Sequence, residues 1–72
     1  MKKTYSQKIL NYLVNDVEYF DKFVAKRKFK KVENIHNTVM RTARHMEQNG
    51  LLKRVSPGTF SLTQRGWKEA VQ

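Results

Sequence analysis

The densest hydrogen-bonding chemistry in this sequence lies between Asn34 and Asn49. At about 100° per residue, Asn37, Met40, Arg41, Arg44 and Gln48 share one helical face, flanked by Asn34, Thr38 and His45. That face carries no carboxylate, and Glu47 falls to its side. Arginine, asparagine and glutamine can each make paired hydrogen bonds to a base edge, and with threonine they also reach phosphate oxygens. An ordinary solvent-facing helix instead mixes the signs of its charges and supports itself with Glu–Lys pairs. A second group is Lys26-Arg27-Lys28-Phe29-Lys30-Lys31, five basic residues in six. Phe29 anchors this run, which leaves Lys26, Lys28, Lys30 and Lys31 free to meet phosphate; the bland alternative is a solvated basic run. Lys53 and Arg54 form a third, smaller cationic group.

Catalytic and metal chemistry find no comparable pattern. His36 and His45 are nine residues apart, which on one helix sets them about 180° from each other and prevents a shared metal. The six carboxylates are scattered, and none stands at a ligand spacing from a histidine. There is no cysteine and no glycine-rich phosphate loop. The expectation is a protein that is not an enzyme and takes no cofactor or metal.

Charge narrows the partners. Fifteen Lys and Arg against six Asp and Glu give a formal net charge of +9 on 72 residues. Such an excess favours nucleic acid, an anionic membrane or an acidic protein. No apolar run approaches the roughly 20 residues that span a bilayer. Met1-Lys2-Lys3-Thr4 leads into a mixed polar segment and not into the apolar core of a secretion signal. A cytoplasmic protein without membrane partners is therefore expected.

These side chains need elements to hold them. Thr4 and Gln7 read as a capping box that opens a helix over Tyr5–Asn15, with Ile9, Leu10, Leu13 and Val14 as its apolar stripe and Tyr12 at the edge. Glu18-Tyr19-Phe20 suggests a very short strand. Asp21 caps a second helix, about Lys22 to Phe29, with Phe23 and Val24 facing inward and Ala25 permitting a close helix neighbour. The third helix runs from a cap at Asn34 to Gly50, a residue free to take the left-handed backbone, and turns Ile35, Val39, Thr42 and Met46 toward the core, with Ala43 at that face's edge. Leu51 to Val55 and Phe60 to Leu62 read as paired strands around a Ser56-Pro57-Gly58-Thr59 turn. Thr63 caps a last short helix with Trp67, Ala70 and Val71 on its inner side, weakened by Gly66. One domain over residues 1–72 is expected, α+β and mostly helical.

From about Ile9 to Ala70 this order resembles the winged helix-turn-helix superfamily of small DNA-binding regulators. The run Val39 to Leu52 is similar to that family's recognition helix and its Gly-Leu-apolar entry into the wing. Leu62-Thr63-Gln64-Arg65-Gly66 is similar to the Leu-Thr-x-x-Gly step that leaves it. Val24-Ala25, fourteen residues before Val39, matches the family's apolar-alanine pair in the second helix. The sequence departs from the pattern where lysines occupy the turn between second and third helices, and where Ala43 stands in place of a large aliphatic residue, a gap for Phe23 or Phe29 to fill.

The resemblance implies a three-helix bundle with a short β-wing and a C-terminal helix, binding double-stranded DNA. The implied function is sequence-specific transcriptional regulation, with the helix at about 34–49 in the major groove and Lys53 and Arg54 at the wing base on phosphate. A replication or partition factor is the alternative within DNA binding. RNA binding, which calls for exposed aromatic residues, and a protein-interaction role are the alternatives outside it. A monomer or weak dimer is expected, with possible pairing on DNA and with Tyr5, Tyr12, Trp67 and Val71 as candidate contacts.

Overall fold

The computed structural model describes residues 4–71. Helix α1 spans Tyr5–Asn15 and opens on the expected reciprocal cap: Gln7 N donates to Thr4 Oγ1 (3.2 Å) and Thr4 N to Gln7 Oε1 (3.0 Å). Its apolar stripe buries Ile9, Leu10 and Leu13. The segment that reads as a strand contracts to a single bridge, in which Phe20 and Phe60 exchange both backbone hydrogen bonds at 2.8 and 2.9 Å. That bridge ties the α1–α2 connection to the distant hairpin.

Helix α2 spans Lys22–Lys28, and Asp21 Oδ1 accepts from Val24 N at 2.9 Å. Phe29 ends it with a buried ring that meets Tyr5 and Tyr12 edge-on at 5.7 Å and Phe20 at 6.4 Å. Phe29, not Phe23, is thus the ring that joins the core. Phe23, expected inside, is 74% exposed. The cause is geometric, because α2 turns Ala25 into the core and Phe23 lies about 200° away from it. Phe23→Ser is accordingly expected to change unfolding free energy by no more than about 0.5 kcal/mol. Urea denaturation checks this, and a fall of several times that size places the ring in a packed site.

Helix α3 spans Val39–Gln48 and so begins later than the sequence suggests. Residues 35–38 form turns, with Asn37 N donating to Asn34 Oδ1 at 3.4 Å. Thr38 occupies the cap position, yet its hydroxyl donates back to Asn34 O (2.6 Å) and caps nothing ahead. Val39, Ala43 and Met46 are buried as expected. Met40 is buried too, at 7% exposure, which removes it from the outer face where the helical wheel puts it. Gly50 (φ 80°) closes the helix: Leu51 N reaches Met46 O at 2.9 Å and Gly50 N reaches Glu47 O at 3.0 Å.

Strands β1, Leu52–Ser56, and β2, Thr59–Leu62, pair antiparallel as a two-stranded sheet. Leu52 faces Leu62, Arg54 faces Phe60, and Ser56 faces Thr59, so Val55 is an extra residue that bulges and twists the hairpin. Gly58 (φ 75°) supplies the turn's positive dihedral, as proline followed by glycine predicts. Helix α4, Gln64–Val71, starts at Thr63, whose Oγ1 accepts from Gly66 N at 3.0 Å. Trp67 and Val71, expected inside, are 48% and 57% exposed. Gly66 and Ala70 form the inner edge of α4 instead, and this rotation carries the two larger side chains outward. The result is a small α+β domain whose core lies between α1, α3 and the hairpin, with Ile9, Phe20, Val39, Leu52 and Phe60 almost fully enclosed.

Candidate nucleic-acid interface

Because α3 turns Val39, Ala43 and Met46 into the core, its remaining surface presents Arg41, Arg44, His45 and Gln48 to solvent. Asn37, in the preceding turn, extends this row, and Asn34 is exposed just before it. Thr38 is half-buried and its hydroxyl is engaged with Asn34 O, so it supports the approach to the helix. Among the described residues, no carboxylate joins the outer row.

Beside the row is a cleft of about 290 Å³ between α3 and the hairpin. Its walls carry Lys22, His36, Arg44 and Arg54, its floor is Met40 and Phe60, and the turn residues Pro57 and Gly58 close one end. Met40 thereby contributes to the site from below, as floor and not as a contact on the outer row. Arg54 is held in two ways. Its guanidinium lies 5.6 Å from the Phe60 ring centre, and its Nη2 donates to Glu47 Oε1 at 3.2 Å. Both partners are partly solvated, so the ion pair contributes only about 0–1 kcal/mol to stability. Its consequence is orientation, since Glu47 fixes where the arginine fork sits. Lys53, its neighbour in the strand, points to the opposite face of the hairpin and does not enter the cleft.

Lys22 and His36 are the cleft residues that sequence reasoning misses. Lys22 follows the Asp21 cap, and the Phe20–Phe60 bridge holds this start of α2 against the hairpin. The short strand read at Glu18-Tyr19-Phe20 points to pairing here, but the local pattern does not give its partner, Phe60.

The basic run does not form a single surface. Lys26 and Arg27 are exposed on α2, in the last turn where positive charge also offsets the helix dipole. Lys28 is paired with Asp16 and lies 5.4 Å from the Tyr12 ring centre. Its ammonium is thus shared with Asp16 and Tyr12, as the Arg54 fork is with Glu47 and Phe60. Lys30 and Lys31 are exposed and line a second groove together with Tyr5 and Lys8 of α1. This groove and the α3 cleft share no residue.

Among the described residues, no group of three or more His, Asp or Glu is gathered as a metal site, and no helix is long and apolar enough to cross a membrane. No family model, curated protein or solved structure matches this chain.

Proposed function

We propose that this domain is a winged helix-turn-helix that binds double-stranded DNA, with α3 as its recognition helix and the β1–β2 hairpin as its wing. The observation that carries this reading is the carboxylate-free row Asn37, Arg41, Arg44 and Gln48, continuous through Arg44 with a cleft where Lys22 and Arg54 converge. From Arg41 to Gln48 the row rises about 10 Å along α3, a length that a major groove accepts end to end. Arg41 and Asn37 then read base edges, while Lys22, Lys26 and Arg54 meet phosphates beside them. The wing is short, and its part is to hold Arg54 on the backbone, not to read the minor groove. Sequence-specific transcriptional regulation, in the cytoplasm and on the nucleoid, is the role such a module fits; a replication or partition factor uses the same contacts.

The test is selection from a randomised duplex pool, followed by binding measurements from about 50 to 200 mM salt. An enriched motif is expected, together with a steep fall in affinity. Lys22→Gln with Arg54→Gln is expected to reduce the salt slope by about 1.8 and leave the motif unchanged. A pool that stays random, or a slope that ignores both substitutions, removes the interface from this face.

One observation favours a second reading. Phe23, 74% exposed, carries Lys22 Nζ at 5.8 Å from its ring centre and follows this cleft residue in the chain. An exposed ring beside a cation is a platform for an unpaired base. Tighter binding to single-stranded RNA than to duplex DNA, lost in Phe23→Ser, supports that reading in place of the first.

A further inference from the structure

The groove between α1 and the α2–α3 connection has a volume of about 460 Å³. Tyr5, Lys8, Lys30, Lys31 and Val32 line it, Phe29 is its floor, and among the described residues no carboxylate lines it. Helix α1 begins here, with no acidic residue in its first turn, so its backbone dipole adds to the positive potential. Lys28 also borders the groove, with its ammonium paired to Asp16.

The direction this groove faces is decided by α1. Helix α3 packs its buried edge, Val39, Ala43 and Met46, toward the core that it shares with α1. Its outer row therefore faces away from α1, and packed helix axes lie about 8–10 Å apart. Lys8 belongs to α1, on the far side of α3 from anything seated on that row. The two concavities also sit at opposite ends of α2, with Lys22 at one and Lys28 at the other.

We infer that the groove is a second phosphate-binding surface, which seats the backbone of a second duplex segment while α3 holds the first. This rests on the DNA-binding reading above and extends it from binding to bridging. Phosphate suits the groove better than an acidic protein does. Protein interfaces are centred on buried aromatic or aliphatic anchors and are depleted in lysine. Here the floor residue Phe29 is itself 5% exposed, and the apolar surface left to a partner is that of Tyr5, 38% exposed, and half-buried Val32, set among three lysines. Lysine is a point charge that serves phosphate without demanding a fixed geometry.

The experiment uses the full chain with one duplex immobilised and a second, labelled duplex in solution. Wild-type protein is expected to capture the labelled duplex. The variant K8Q/K30Q/K31Q is expected to lose that capture by about tenfold or more at moderate salt, and to bind the immobilised duplex within about twofold of wild type. Retained capture by this variant overturns the inference, because bridging then comes from self-association. So does a parallel loss of binding to the first duplex, which lays the groove along the same segment. Wild-type protein that binds one duplex and captures no second one also overturns it, and leaves the α3 reading intact. The converse separation uses R41A/R44A. If that variant binds duplex normally while K8Q/K30Q/K31Q does not, the groove is the primary duplex site, and the α3 reading and the bridging inference fall together. Preference for polyglutamate over a duplex of equal charge, lost in K8Q/K30Q/K31Q, assigns the groove to an acidic protein and overturns the inference.

Discussion

Gly66→Ala is expected to destabilise the domain by about 3 kcal/mol, although it places the better helix former in α4. A Cβ at this position would lie 2.1 Å from the Leu51 carbonyl oxygen and 2.8 Å from Leu62 Cδ1. The leucine methyl can move, but the carbonyl cannot do so freely. Leu51 O accepts from Thr63 N at 3.2 Å, and Thr63 Oγ1 shares its proton between Leu51 O (2.9 Å) and Gly50 O (2.6 Å). Making room for the methyl separates the end of α3 from the start of α4 and strains these hydrogen bonds, at about 0.5–1.5 kcal/mol each. The gain in helix propensity offsets only about 1 kcal/mol. A domain of this size has a total stability on the order of 4–10 kcal/mol, so the loss is a large fraction. Urea denaturation of Gly66→Ala and Gly58→Ala side by side tests the argument. At Gly58 an added methyl meets nothing within 4 Å, and only the φ of 75° opposes substitution, so its loss should be the smaller one. Equal losses, or a Gly66→Ala protein as stable as wild type, would show that the junction yields without cost.

The same glycine shows where sequence reasoning stops. Local chemistry announces most of the elements. The Thr4–Gln7 box, the Asp21 cap, the Pro57-Gly58 turn and Gly50 after the third helix each act within a few residues, so spacing alone reveals them. Gly66 reads as a weak point in a helix, because the Leu51 carbonyl that requires it is fifteen residues away in the chain. Periodicity misplaces Phe23, Trp67 and Val71 for a related reason. A helix of seven or eight residues has too few turns to fix its own rotation by pattern, and packing partners decide it. Met40 escapes the helical wheel because the hairpin covers the edge of α3 that the wheel leaves open. Thr38 and Asn34 compete for the start of α3 through side-chain hydrogen bonds that sequence pattern does not rank. For the interface, Arg41, Arg44 and Gln48 are legible from the missing carboxylates on their face. The cleft is not, since Lys22 joins Arg44 and Arg54 only through the Phe20–Phe60 bridge.

The largest functional effect is expected from Arg41 and Arg44 together. Arg41 belongs to the outer row alone, whereas Arg44 serves both the row and the cleft. If α3 lies in the major groove, Arg41→Ala removes a base contact and costs about 1–3 kcal/mol on the selected duplex, with little effect on unrelated sequence. Arg44→Ala loses affinity for both, because part of its contribution is charge beside phosphate. The double substitution should then cost about 2–5 kcal/mol on the selected site and leave it hardly distinguishable from random DNA. Neither side chain forms an ion pair among the described residues, and both are exposed, so the fold should be unaffected to within about 0.5 kcal/mol. Arg41→Lys separates charge from geometry: lysine keeps the charge and cannot reproduce the paired hydrogen bonds to a base edge. Affinity for unrelated duplex should survive in Arg41→Lys while preference at one base position is lost. Repeating the site selection with each variant reads this directly. An unchanged motif in Arg41→Ala and Arg41→Lys would move base reading off this row and leave α3 as a backbone-binding helix only.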